Sequence, residues 1–486
     1  MRSLASEKAP GLDNTIPQLR EELKSIRAIL ERGCLCGSVS AAALTTGERS
    51  RHGGWLGWDA SNEGEKPILA LSTRFRALKH RNFQLFTIGQ LISLIGTWMQ
   101  TTAQQWLVYR LTKSVALLGI FGFASQVPML LLAWMGGYMG DRYNRHRGVI
   151  VTQTCSMILA FVLAALTLTH VVDKWPMIVI YIAFLAGIVN AFDVPIRQAF
   201  FVHMVGREDL PNAIALNSSI FNGARVVGPA IAGFAIMAIG EGWCFFVNGL
   251  SFIAVLVALL MMRITATEIK HDGESPVRSF VQGFRFAMAD LPIRSALLLL
   301  CVLSMFGLQY SVFLPIYAHD ILHGGAKALG LLMSAAGVGA VLGALQFAAR
   351  TEYKGLAKWI GTTCTACAIG LIVFSQARVF WLCAVVLFVV GFAATSQMAA
   401  TNTIIQERVP EAMRSRLMAV YATMFMGVMP IGALIAGGVA KHVGAPRTIL
   451  MFGGLVLAGC MVFLWRVVFR LRDTGGAAVG TGVIEG

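Results

Sequence analysis

From Phe83 onward the chain alternates long apolar runs with short polar breaks, and this rhythm is its dominant signal. Runs of about 20 apolar residues match the helix length needed to cross a bilayer. In the first half they predict spans near 83–108, 116–139, 149–170, 175–193, 213–239 and 244–262. The second half repeats the plan near 293–317, 328–349, 356–376, 379–399, 417–440 and 447–469. Each of the twelve spans has about 32 residues of chain at its disposal, enough for one crossing helix and a short connection. The pattern predicts an all-α membrane protein: six helices in 81–263, a linker over 264–292, and six more in 293–472. The linker carries an amphipathic stretch with Phe280, Phe284 and Phe286. Residues 1–80 break the rhythm with turn formers such as Gly53, Gly54, Ser61 and Asn62, and predict a largely disordered cytosolic tail. Inside it, Ile16, Leu19, Leu23, Ile26 and Leu30 recur at helical spacing. Residues 473–486 predict a second disordered tail, and no secretory signal is expected at the start.

An internal repeat supports the two halves. Sliding His203–Gly240 onto Glu407–Gly444 without a gap matches nine of 38 positions, among them Gly223 with Gly427, Gly228 with Gly432 and Gly233 with Gly437. A second offset sets Gly119 on Gly330. Matched glycines imply matched helix-packing surfaces, and a parallel duplication of six helices places a substrate cavity between the bundles.

Composition agrees. With 56% hydrophobic and 13% charged residues, the chain falls far from a soluble domain, where roughly a quarter of residues are charged. The net charge of +15 would suit a nucleic-acid binder if it were gathered in one patch, but the Lys and Arg fall between apolar runs. Flanking residues divide twenty-three to seven between the two sides, which puts both termini in the cytoplasm by the positive-inside rule. Nine cysteines, five of them inside apolar runs, imply neither a disulfide framework nor a metal site. All nine histidines fall in tails, loops or span ends, and no phosphate-binding G-x-x-x-x-G-K-[ST] occurs, so an enzyme, a cofactor and a metal are not expected.

Between the second and third spans the chain reads Gly137-Tyr138-Met139-Gly140-Asp141-Arg142-Tyr143-Asn144-Arg145-His146-Arg147. A carboxylate among arginines beside small residues suits a charge lock that breaks and remakes as bundles rock. The loop resembles the G-x-x-x-D-R-x-G-R-R/K signature of the major facilitator superfamily, with Asn144 where Gly is usual. That resemblance makes Gly137, Asp141, Arg142, Arg145 and Arg147 a cytoplasmic gate. In the fifth span, Gly228-Pro229 with Gly233 looks like the Gly-Pro signature of exporters in this superfamily, and Pro229 removes one helical hydrogen bond, which permits a bend.

Arg225 sits in the same span beyond the reach of snorkelling, and a cation at such depth costs about 2.5–3.5 kcal/mol on insertion scales. It either binds an anionic group or caps carbonyls at the Pro229 bend. No Asp or Glu is expected near the middle of a span; Asp193, at the end of the fourth, comes closest and pairs with Arg197 or switches protonation. Gln90, Gln104, Asn190, Asn222, Gln309, Tyr310 and Gln397 complete the candidates for cavity or coupling roles, and interhelical hydrogen bonding is the alternative for each.

Arg81-Asn82-Phe83, Trp106-Leu107-Val108-Tyr109, Asn190-Ala191-Phe192-Asp193-Val194-Pro195, Leu210-Pro211-Asn212-Ala213 and Gly228-Pro229 together resemble the bacterial group of siderophore exporters and secretion permeases, over about 80% of the chain. The resemblance implies the major facilitator fold and proton-driven efflux of a small molecule across a bacterial cytoplasmic membrane by a monomer. A non-transporting sensor or scaffold on the same frame is the alternative.

Overall fold

The computed structural model describes residues 76–142, 144–262, 276–350 and 355–469. Residues 1–75 of the tail expected over 1–80, the whole of the tail expected over 473–486 and the first part of the linker, 264–275, lie outside the described residues, while Arg76–Lys79 at the end of the first tail form a 3₁₀ turn. Twelve long helical segments form the body: α1 (Arg81–Thr112), α2 (Val115–Arg142), α3 (Arg145–Leu168), α4 (Met177–Val205), α5 (Leu210–Ile239), α6 (Glu241–Leu260), α7 (Leu291–Ile321), α8 (Gly325–Ala348), α9 (Leu356–Gln376), α10 (Phe380–Arg408), α11 (Met413–Val443) and α12 (Ala445–Val467). A separate helix, Pro276–Ala289, forms the described part of the linker.

Eleven of these are long and apolar enough to cross a membrane among the described residues. The exception to the expected twelve is α1, which has the length, 32 residues, but carries five glutamines that lower its hydropathy. It is packed along α5 and α6, where those groups meet protein as well as lipid. Around the outside, Trp134, Tyr181, Met237, Leu345 and Trp381 are more than half exposed, an apolar surface that a bilayer covers.

The pairing of helices shows the repeat. α1 lies along α5 and α6, α2 along α4, and α3 against α4 and α6; in the same way α7 lies along α11 and α12, α8 along α10, and α9 against α10 and α12. Between the bundles, α5 crosses α8 and α2 crosses α11. Two pseudo-symmetric six-helix bundles are the result. The repeat extends to chain ends: Gly240 and Gly444, matched by the sequence offset, close α5 and α11 with φ of +84° and +86°, a conformation glycine adopts without strain.

Two faces follow from this up-and-down course. The hairpin face carries the short α1–α2, α5–α6, α7–α8 and α11–α12 connections. The linker face carries the start of α1, the α2–α3 loop and the linker helix. On the latter face Asn144 caps α3, its side chain accepting the Arg147 N–H at 3.1 Å, which explains Asn at a position where the signature loop has Gly.

α4 does not end near Asp193 as the sequence suggested but runs on to Val205. Pro195 deprives only the Ala191 carbonyl of its helical donor, and α2 packs Gly136 directly onto that carbonyl, so tertiary contact overrides a local breaker. α7 is irregular in its middle: Gly307–Gln309 form a 3₁₀ turn, and Tyr317–Ile321 a π turn at its end.

Candidate functional site

The interface between the bundles is built in layers from the hairpin face inward. At the rim, α1 of the first bundle meets the end of α7 of the second. Tyr109 Oη donates to Asp320 Oδ2, and His319 Nδ1 lies 2.5 Å from Asp320 Oδ1. Lys113 Nζ donates to His319 Nε2 at 2.6 Å, which requires that nitrogen to be unprotonated. The rings of Trp106 and Tyr109 flank the imidazole at 5.8 and 5.9 Å. Four side chains thus form one chain of hydrogen bonds joining the bundles.

The next layer is a pair of glycine crossings. A methyl added to Gly119 on α2 would lie 2.6 Å from the Ala433 carbonyl and 2.7 Å from Gly437 Cα on α11. A methyl added to Gly330 on α8 would fall on the Pro229 carbonyl and 2.9 Å from Gly233 Cα on α5. The two seams are repeat mates of each other, and backbone meets backbone in both.

Below the seams, Ser334 Oγ of α8 donates to the Val226 carbonyl of α5 at 2.7 Å, and Thr102 of α1 reaches the Met333 sulfur. Arg225 lies at this level, 15 residues from the start of α5 and 14 from its end, partly exposed. Its charge is felt at Tyr310, the first residue after the irregular turn of α7. Gln309 holds that turn, donating through Nε2 to the Ser304 and Met429 carbonyls at 2.9 and 3.3 Å. α5 remains helical through Gly228 and Pro229.

Toward the linker face the bundles diverge. Gly137 on α2, in helical register with the seam residue Gly119, has nothing within 4 Å of an added methyl, and Ile214 and Asn190 are exposed. Phe83, Phe86, Thr87, Gln90, Asn217 and Ile220 meet in a crevice between α1 and α5 of the first bundle, too narrow to admit a water molecule. Thr87 Oγ1 and Gln90 Oε1, both buried in that wall, have no hydrogen-bond partner among the described residues. The hairpin half is therefore shut and the linker half open.

The sequence-derived residues sort accordingly. Arg225 and Tyr310 lie in different bundles, within electrostatic range of each other. Asp193 and Arg197 form a pair at 3.2 Å, but Asp193 lies within α4 instead of at its end and is 3% exposed. Thr152 Oγ1 and Gln153 Nε2 of α3 donate to its other oxygen at 2.6 and 2.8 Å, so the carboxylate is fully engaged inside one bundle. Gln104 and Gln397 are buried, each with one unpartnered polar atom, and Asn222 donates to the Ser218 carbonyl of its own helix.

In the signature loop the close-packed glycine is Gly136, not Gly137, because Gly136 faces α4 while Gly137 turns toward open space. Asp141 lies in the last turn of α2. Arg142 donates to Tyr138 Oη, and Arg145 to the Ala199 carbonyl of α4 at 3.2 Å. Arg147 is exposed on the first turn of α3. Nearby, Arg76 and His80 bind Asp209 at 3.2 and 2.9 Å and tie the entry of α1 to the start of α5. The hydrogen bond from His80, helped by the Arg76 charge, holds the Asp209 carboxyl below its usual range. The rim cluster of Tyr109, Lys113, His319 and Asp320 was not anticipated from sequence; the adjacent His-Asp pair at a span end was its one visible trace.

This architecture recurs in solved transporters. The structure of nucleoside transporter NupG matches with a TM-score of 0.63 at 13% identity, covering 79% of this chain and 98% of that one. A bacterial homologue of the human lysosomal transporter Spinster matches at 0.61 and 14% identity, covering 84% and 99%. Among curated proteins, the staphyloferrin A transporter of Staphylococcus aureus is 24% identical over 78% of this chain and 94% of its own length. The multidrug efflux pump Tap of Mycolicibacterium fortuitum is 24% identical over 79% and 95%, and the enterobactin exporter EntS of Shigella boydii 25% over 80% and 93%. The model of the transmembrane secretion effector family spans residues 72–478. With two six-helix bundles, paired glycine crossings and relatives that carry siderophores and drugs, this chain belongs to the transmembrane secretion effectors of the major facilitator superfamily, a family of transporters and not of enzymes.

Proposed function

We propose that this protein exports a small molecule, of the siderophore, drug or metabolite kind, across a bacterial cytoplasmic membrane by alternating access in exchange for protons. The observation that carries this reading is the contrast between the halves of the interface: seams and hydrogen bonds close the hairpin half, and open space divides the linker half. Two rigid bundles joined that way expose a central site to one side, and rocking about the seams exposes it to the other. The basic residues of the connecting loops favour a cytoplasmic linker face, and in that orientation this state accepts cargo from inside the cell.

Proton exchange is supported by the rim. There the bond from Lys113 to His319 Nε2 joins the bundles through a nitrogen whose lone pair must stay free, in one hydrogen-bonded chain with Asp320 and Tyr109. Asp141 supplies the complementary device on the inner face, where a carboxylate among Arg142, Arg145 and Arg147 latches the bundles when they close there.

Purified protein in liposomes with an imposed pH gradient, offered a panel of siderophores and dyes, tests the reading. Gradient-driven flux is expected, and Asp141→Asn is expected to block it while the protein still reaches the membrane. Flux indifferent to the gradient would remove the proton exchange, and normal transport by the Asn variant would remove the gate.

A further inference from the structure

We infer that Arg225 is the seat of an anionic group on the cargo, so that the transported molecules are organic carboxylates; this rests on the export reading and adds the chemical class. Arg225 is the one charged residue in α5, and it stands about 21 Å of helix rise from either end, too deep for its head to reach water along the bilayer normal. A cation so placed is stable when a partner or a wet cavity answers it.

Among the described residues no carboxylate does. Asp193 is consumed by Thr152, Gln153 and Arg197, Glu241 by Arg110, and Asp320 by Tyr109 and His319 at the rim. The alternative, that the guanidinium caps carbonyls freed near Pro229, is not what the geometry holds. Pro229 leaves the Arg225 carbonyl without its helical donor, but that carbonyl faces Gly337 of α8, and the next one, of Val226, is taken by Ser334 Oγ at 2.7 Å. The five donors of the guanidinium meet no acceptor among the described residues.

Position assigns the partner. Arg225 sits below the closed seam, and Ile214, three turns nearer the linker face on the same side of α5, is exposed, so a solute entering from that face meets Arg225 at the end of its path. Tyr310 of the other bundle, just after the 3₁₀ turn of α7, lies within electrostatic range of the guanidinium, and a helix interrupted at such depth is a feature of transporter binding sites. A guanidinium offers a planar fork that fits a carboxylate with two parallel hydrogen bonds, and the Tyr310 hydroxyl is available for a third. The repeat mate of Arg225 on α11 is Met429, so the second bundle adds apolar surface in place of a second cation. One anionic group on an otherwise uncharged body is what this site accepts.

The test separates binding from transport. Purified protein is titrated with dansylglycine and with its methyl ester, which share a body and differ in the carboxylate. Wild type is expected to bind the acid about tenfold more tightly than the ester. Arg225→Gln should bind both equally, and Arg225→Lys should keep part of the preference, since an ammonium retains the charge and loses the fork. If Arg225→Gln does not fold, as read by thermal unfolding, Tyr310→Phe serves, with a smaller loss of preference expected. Equal binding of acid and ester by wild type, or full preference in Arg225→Gln, overturns the inference. A clear preference with no flux in liposomes would leave the site standing and overturn the export reading instead.

Discussion

The two seams that join the bundles are built alike and equipped differently. In α5–α8 and in α2–α11 a glycine of one bundle lies against a carbonyl and a glycine of the other, at positions the internal repeat makes equivalent. Yet α5 brings Arg225 and Pro229 to its seam, where α11 brings Met429 and Ala433. α11 instead relaxes its backbone in a π turn at Thr423–Gly427, just before its crossing. Symmetry thus governs the frame that moves, and the chemistry that meets cargo is concentrated on one side of it.

The largest effect expected from breaking this likeness comes from the crossings. Gly119→Val and Gly330→Val each force side-chain carbon onto backbone, and overpacking of this kind costs about 1–3 kcal/mol, enough to shift a two-state balance about fivefold or more. Both variants should lose export and label readily at cysteines placed on the hairpin face. If one is silent and the other inactive, the seams are not equivalent.

An intermediate effect is expected at the rim. Lys113→Met removes the bond to His319, and Asp320→Asn replaces the carboxylate that Tyr109 and His319 share. Each should open the hairpin face by a few-fold in the same labelling assay, about 0.5–1.5 kcal/mol for one hydrogen bond. The combined variant should exceed either one by less than their sum, because the groups form one network. Strict additivity would show that the cluster is two unrelated contacts.

The smallest effect concerns the tie between α1 and α5 on the linker face. The Asp209 carboxyl is held below its ordinary range, so its contribution to stability is present at pH values above that range and lost as acid protonates it in the folded state. Thermal unfolding should therefore not respond to this group between pH 5 and 8 and should fall on further acidification, less so in Asp209→Asn. Equal acid sensitivity in wild type and variant would show that the tie carries no stability.

Much of the frame was legible in the sequence, because apolar runs of bilayer length and repeated glycines are local signals. Gly119, Gly233, Gly330 and Gly437 could be matched by offset alone, and their crosswise contact follows from duplication. The exact course of α4 was not legible: Pro195 reads as a stop, and the contact of Gly136 with the Ala191 carbonyl that allows the helix to continue comes from α2. For the same reason Gly137 stood out in the signature loop although Gly136 makes the contact. Arg225 was visible as a charge in an apolar run, but its lack of a partner among the described residues required the fold. The rim was hidden because its residues come from the ends of α1 and α7, more than 200 positions apart, with no periodicity to link them.

The central claim, that the bundles part on the hairpin face during transport, is most directly tested by the distance between spin labels at Lys174 and Val379, exposed positions on that face in different bundles. Protein in liposomes should show a short distance at rest and a second, longer one that gains population on acidifying the outer face, and Gly119→Val should show the longer one throughout. A single unchanging distance in protein that is actively exporting would contradict it.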